Sequence, residues 1–269
     1  MVWDWAFRNP VKALLSYLVF VSLFFLIFPG VDLWFTGLFH SSETGFWAKT
    51  QPFLRRFRHL GPHIVQWVAI ACLLALVLKL LFPGRTPLMP LRVPVFLLST
   101  LVLGPGILVN AILKNNWGRP RPVMVDLFGG DMPYQPVWLP TNWCDTNCSF
   151  VSGEASAAMW LLALVFVAPK AWRWALACFL IPLGLLLSLN RVAFGGHFLS
   201  DTLISWGLTL LLIVLMYRLL FYVRPAGLGD RKLDEILTRT GRRLHVAFRK
   251  ILNGYRIRWR RFCKMFTSA

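Results

Sequence analysis

The sequence predicts an all-α integral-membrane protein with six transmembrane helices in one bundle, and three observations predict it. Hydrophobic residues make up 57% of the chain against 15% charged, and the mean hydropathy is +0.59, unlike a water-soluble domain of 269 residues. Six apolar stretches approach the ~20 residues that a helix needs to cross a bilayer. They lie at about 11–28, 63–82, 93–113, 153–168, 174–190 and 198–222. Basic residues then mark one side of such a path: Arg8 and Lys12, Arg85 and Arg92, Lys170 and Arg173, and a dense run after the last stretch. By the excess of basic residues on inward-facing loops, that side is cytoplasmic and carries both termini. The expected division is a membrane domain over 1–224 and a basic cytoplasmic tail over 225–269.

Each element has its own signal. The first stretch has no small-residue cleavage site and ends at Phe28-Pro29-Gly30, so it reads as a retained helix rather than a removed signal peptide. The outer loop 29–62 mixes Trp34, Trp47, Phe53 and Phe57 with Arg55, Arg56 and Arg58, a composition that predicts an interfacial helix among head groups. His59 and His63 are four apart, but Gly61-Pro62 between them is expected to interrupt any regular helix, which argues against a metal pair. Pro83-Gly84 and Pro169 punctuate later joins, and the fourth stretch is short unless its helix begins near Ser152. After the sixth stretch, Leu233, Ile236, Leu237, Leu244, Ala247, Phe248 and Ile251 recur at helical spacing between basic residues. Arg231–Leu252 therefore reads as an amphipathic helix on the inner leaflet, attracted by anionic lipids, or else as a docking segment for a protein partner.

The formal net charge of +18 calls for an anionic partner. So apolar a body has no soluble face for nucleic acid, and lipid head groups fit better. Cys72 and Cys178 lie in apolar runs as packing residues, and Cys263 lies in the tail. Cys144 and Cys148 share a polar loop with no further Cys or His to complete a zinc site; facing an oxidising compartment, they would suit a local disulfide.

Three loop segments on the outer side carry chemistry. Lys114-Asn-Asn-Trp-Gly-Arg119-Pro120-Arg121-Pro122 places three cations between stiffening prolines, and planar guanidinium forks suit phosphoryl oxygens. Cys148-Ser-Phe-Val-Ser152-Gly153-Glu154 offers Ser152 as an N-cap and Gly153 as an uncovered amide, the makings of an anion site at a helix start. Asn190-Arg191-Val-Ala-Phe-Gly-Gly-His197-Phe-Leu-Ser-Asp201 sets a histidine and an aspartate four residues apart. A carboxylate so placed can hold one imidazole nitrogen and leave the other free to attack.

Together these segments resemble the three-part signature of the type 2 phosphatidic acid phosphatase (PAP2) superfamily, relatives of the vanadium haloperoxidases. K-x6-R-P is met by Lys114, Arg121 and Pro122. S-R-x5-H-x3-D is met by Arg191, His197 and Asp201, with Asn190 in place of serine. P-S-G-H appears as Val151-Ser152-Gly153-Glu154, changed at both ends. The motifs cover about a third of the chain.

The resemblance implies a metal-independent lipid phosphatase without cofactor. His197 would attack phosphorus and Asp201 would orient its ring. Lys114, Arg121, Ser152, Gly153 and Arg191 would hold the phosphoryl oxygens, and Arg119 would sit at the interface or touch a second phosphate. Glu154 replaces the histidine that protonates the leaving oxygen. It would do so itself if burial kept it protonated, or as a carboxylate align a water, or be dispensable for a good leaving group. The stretch 147–156 looks like the variant second motif of some lipid A phosphatase-like members. That implies the bacterial inner membrane, a periplasmic site, and the phosphorylated glucosamine head of lipid A (its 1- or 4'-phosphate) as substrate. Undecaprenyl diphosphate and phosphatidylglycerol phosphate are the competitors, and a lipid phosphotransferase or a non-catalytic phospholipid-binding protein are the other classes.

Overall fold

Pro10 opens the first membrane helix, α1 (Pro10–Ile27), where its fixed φ and missing N–H suit a first turn. Leu18, Val21 and Phe25 bury one stripe of it at helical spacing. Val19, Phe20, Leu23 and Ile27 stay exposed, an apolar outer face suited to lipid. The computed structural model describes Trp5 and residues 8–223 and 227–267, with side chains through Arg256 and at Trp259. The expected domain boundary after residue 224 lies outside the described residues.

A short helix, α2 (Gly30–Gly37), follows Pro29, and a two-stranded antiparallel hairpin pairs β1 (His40–Ser41) with β2 (Gly45–Phe46) in the register His40 to Phe46. The remaining helices are α3 (Pro52–Leu81), α4 (Arg92–Asn116), α5 (Gly153–Val167), α6 (Lys170–Ala193), α7 (Leu199–Val223) and α8 (Asp230–Thr267). Among the described residues, α1, α3, α4, α6 and α7 are long and apolar enough to cross a membrane, whereas α5 is apolar but shorter. A turn at Leu161-Leu162 interrupts α5, and it starts at the Ser152 cap that the sequence marks.

Two expectations are corrected here. The arginine-aromatic stretch 53–58 is not a separate helix but forms the first turns of α3. Pro62 does not interrupt that helix, and His59 and His63 stand on it with ring centroids 6.4 Å apart. Among the described residues no group of three His, Cys, Asp or Glu side chains is placed to hold an ion. In α4, Pro105 falls between Gly104 and Gly106 and the segment Val102–Leu113 widens to a π-helix. A proline inside a helix removes one N–H and crowds the carbonyl four residues back, and a wider turn accommodates both. The Asn110 side chain donates to the Pro105 carbonyl at 2.6 Å.

Contacts divide the chain into two units, Met1–Ala69 with Phe96–Val223, and Ile70–Val95 with Arg224–Ala269. In the second, the Lys79 ammonium donates to the Pro83 and Arg85 carbonyls and pairs with Asp234 at 2.7 Å, while Arg92 grips Asp230 through its backbone and its guanidinium. The first turns of α8 are thereby tied to the loop between α3 and α4. In the first unit, α1 lies along α7, and α5 packs among α4, α6 and α7. The α1–α7 contact is close: a β-carbon on Gly207 would stand 2.5 Å from Leu18 Cδ2 and 2.9 Å from Tyr17 Cδ1. Gly207→Val is expected to cost about 1–3 kcal/mol by overpacking this seam. The loss reads as a lower thermal unfolding midpoint in detergent; an unchanged midpoint would contradict the packing.

Candidate active site

The turn 194–198 between α6 and α7 carries His197, and backbone hydrogen bonds stitch the three signature segments around it. Val123 N–H donates to the Gly195 carbonyl at 3.1 Å, joining the first segment to the third. Cys148 N–H donates to Lys114 O (3.1 Å) and Ser149 N–H to Arg119 O (2.8 Å), joining the second to the first. Ser152 N–H donates to Asp201 O (3.3 Å), and the Ser205 hydroxyl to Ser152 O (2.7 Å), joining the second to α7. Three stretches distant in sequence thus share one hydrogen-bonded scaffold.

His197 is buried, 1% exposed, with Nδ1 2.7 Å from the Ser149 carbonyl. A carbonyl only accepts, so Nδ1 carries the proton and the lone pair of the neutral ring lies on Nε2. Nε2 is itself buried and has no hydrogen-bond partner among the described residues. Burial first, then the charges of Arg191, Lys114 and Arg121, hold the imidazole well below its ordinary value of 6.5, so it stays neutral. Those three cations therefore lie within electrostatic reach of one ring. Arg191 is buried near the end of α6, and Gly196 makes room for it, since a β-carbon there would meet Nη2 at 2.4 Å. Arg121 clamps the Asn147 carbonyl through Nε and Nη2 at 3.0 and 2.6 Å. A disulfide joins Cys144 to Cys148 and closes the short loop that presents that carbonyl.

Ser152 caps α5 by accepting from Ala155 N–H, and Gly153 opens the helix beside the Asn110 side chain. Glu154 stands between two guanidinium groups. Arg58, from the start of α3, bonds it through Nε at 3.3 Å and Nη2 at 2.9 Å, and Arg191 Nε lies 3.2 Å away. Asn190, in the place of the signature serine, donates to the Leu54 carbonyl at 3.0 Å and ties α6 to the same turn of α3.

Two sequence readings change. Asp201 does not hydrogen-bond His197: its Oδ2 is 4.0 Å from Nδ1, because the Ser149 carbonyl already occupies that N–H. Asp201 instead accepts from the Ser149 hydroxyl (2.5 Å) and the Phe198 N–H (2.9 Å), fixing both residues that flank the ring. Arg119 is no head-group contact. It has no exposed surface and bonds Asp201 (2.5 Å), Asp32 (2.9 Å), the Ser200 hydroxyl (2.9 Å) and the Gln135 carbonyl (2.8 Å), with Phe198 stacked 4.4 Å from its carbon. Burial pushes its guanidinium down, but Asp201 and Asp32 outweigh burial and raise it above its ordinary value.

Comparison with known proteins agrees with the motif reading. The PAP2 superfamily model matches residues 93–225. A lipid A 4'-phosphatase of Francisella tularensis subsp. novicida is 36% identical over 187 residues, 68% of this chain and 82% of that protein. The chain belongs to the PAP2 superfamily. Lipid A 4'-phosphatases of Rhizobium leguminosarum and Rhizobium etli are each 45% identical over 109 residues, 40% of this chain. The matches cover 47% and 42% of those two proteins, so the chain spans about half their length. No solved structure matches.

Within this PAP2 member, Asp32, Ser149 and Arg58 join the candidate site although the signature does not contain them. Asp32 had a signal, as a lone carboxylate in an aromatic, apolar segment. Ser149 and Arg58 had none beyond their neighbourhood. Arg119→Met should leave two buried carboxylates without their counter-charge and cost about 3–5 kcal/mol. The expected result is loss of the folded protein or a large fall in unfolding midpoint; wild-type stability would contradict the network.

Proposed function

We propose that this chain is a metal-independent membrane lipid phosphatase acting through a phosphohistidine, with the phosphorylated glucosamine head of lipid A as its substrate. The observation that carries the mechanism is the buried Nε2 of His197, unprotonated and unpartnered, among Lys114, Arg121 and Arg191. The relatives' names support lipid A, and their shared 4' position supports that phosphate.

The chemistry follows from the charges. Lys114, Arg121, Arg191, Ser152 and the Gly153 N–H hold the phosphoryl oxygens and stabilise charge that builds on them in the transition state. Nε2 attacks phosphorus, the P–O ester bond breaks, and the lipid oxygen leaves and takes up a proton. Water then attacks the phosphorus, the P–N bond breaks, and inorganic phosphate and a neutral imidazole remain. Glu154 accepts hydrogen bonds from Arg58 and lies 3.2 Å from Arg191 Nε, which favours it as the carboxylate that aligns this water.

The site faces the periplasm in this reading. Support comes from the basic loops and tail on the opposite side and from the Cys144–Cys148 disulfide, suited to an oxidising compartment. The chain then crosses six times, with α5 as the short crossing. The aromatic and arginine residues of α2, the hairpin and the first turns of α3 sit among outer head groups. Exposed Ile236, Leu244, Phe248 and Ile251 on α8, between basic residues, suit the anionic inner leaflet.

Purified protein should release phosphate from lipid A, with or without chelator, faster than from polyprenyl diphosphate or phosphatidylglycerol phosphate, and His197→Ala should release none. Label passing to another lipid would instead mark a phosphotransferase, and vanadate binding without turnover a binding protein. The pH profile carries a second test. Attack needs the neutral ring, and burial with three nearby cations lowers its protonation point, so the acid limb of kcat/KM should lie below pH 6.5. An acid limb at or above 6.5 would contradict the neutral, buried nucleophile.

A further inference from the structure

We infer that Asp32, on α2 outside the region matched by the superfamily model, is a positioning residue for the His197 nucleophile; the inference rests on the phosphatase reading above. Asp32 is fully buried, 0% exposed. Its Oδ1 accepts from the Ser200 N–H at 2.9 Å, and its Oδ2 from the Ser200 hydroxyl and from Arg119 Nη2 at 2.9 Å, with the Tyr134 hydroxyl at 3.4 Å.

Each of these bonds leads to the imidazole. Ser200 lies in the first turn of α7, three residues after His197, so Asp32 fixes the helix start from which the histidine hangs. Asp32 also takes one edge of the Arg119 guanidinium, which leaves Nη1 on Asp201. Asp201 in turn holds the Ser149 hydroxyl, and the Ser149 carbonyl holds Nδ1 of His197. The run Asp32–Arg119–Asp201–Ser149–His197 has a charge at each of its first three members, all without exposed surface. In a low-dielectric interior such a network has one satisfied arrangement, and loss of one member lets the others repartner. Without the Asp32 charge, Arg119 keeps a single carboxylate and the geometry at Ser149 is no longer forced. The phosphate-holding cations are not part of this run. Asp32 therefore acts on where the ring points, while phosphate affinity rests elsewhere.

The test uses the full-length protein in detergent with histidine labelled isotopically for NMR, in wild type, Asp32→Asn and Ser200→Ala. Vanadate binding and the thermal midpoint report the phosphate site and the fold. The expected result for Asp32→Asn is retained vanadate affinity within about twofold, loss of the single Nδ1–H tautomer of His197, and kcat on lipid A down about tenfold or more with KM unchanged, the size set by misplacement of a reacting atom. Ser200→Ala removes the hydroxyl that donates to Asp32 and accepts from Arg119, but keeps the Ser200 N–H bond to Asp32 and all three charges, and should move the tautomer and kcat in the same direction by less. It carries the test if Asp32→Asn does not fold. An unchanged tautomer in a folded variant overturns the inference whether or not any lipid is hydrolysed. Equal losses in vanadate affinity and kcat overturn it as well, since they mark a general structural role. Failure of wild type to hydrolyse any lipid phosphate would sink the phosphatase reading and leave the tautomer to decide the positioning.

Discussion

A guanidinium sealed from solvent between two carboxylates is the constraint on which the rest of this structure depends. Arg119 cannot be left without Asp32 and Asp201, nor they without it, because an unpaired charge in that interior costs several kcal/mol. The three residues come from α2, from the loop after α4 and from the first turn of α7. Satisfying them together brings the N-terminal part of the chain and the two outer signature segments to one point. Ser149, Ser200, Tyr134 and Phe198 complete the packing around that point. The histidine is then held by what the ion cluster holds, through a backbone carbonyl rather than through the aspartate beside it in the motif.

The second constraint is electrostatic and opposes the first. An imidazole among Lys114, Arg121 and Arg191 is pressed towards neutrality, and burial presses the same way. The proposed attack on phosphorus needs a neutral ring with its proton on Nδ1, so in that reading the same cations that would attract a phosphate keep the nucleophile ready. Glu154 offsets part of this positive charge from its place between Arg58 and Arg191. A histidine at that position would add to the positive charge when protonated, whereas a carboxylate subtracts from it. The pairing with Arg58 gives the altered motif a physical partner, found on a helix remote in sequence.

Much of this was legible in the residues. Hydropathy marked the five described helices that are long and apolar enough to cross a membrane, and Ser152 marked the start of the shorter α5, because caps and apolar runs are local signals. The resemblance to the three-part signature grouped Lys114, Arg121, Arg191 and His197, and in the structure the three cations act electrostatically on that ring. The alternating Arg119-Pro-Arg121-Pro was misread because two arginines two residues apart carry the same local signal, and only the folded loop decides which one faces the interior. Pro62 was misread for a similar reason: the surrounding apolar residues sustain α3 through a residue that weakens it. The carbonyl of Ser149 has no signature at all, since any residue supplies one.

The central claim is a covalent bond between phosphorus and His197, and rapid quenching of the enzyme with radiolabelled lipid A phosphate tests it most directly. A label that survives alkali, is lost in acid and maps to the peptide bearing His197 is the expected result. No protein-bound label under conditions of steady turnover, or a label on another residue, would contradict it.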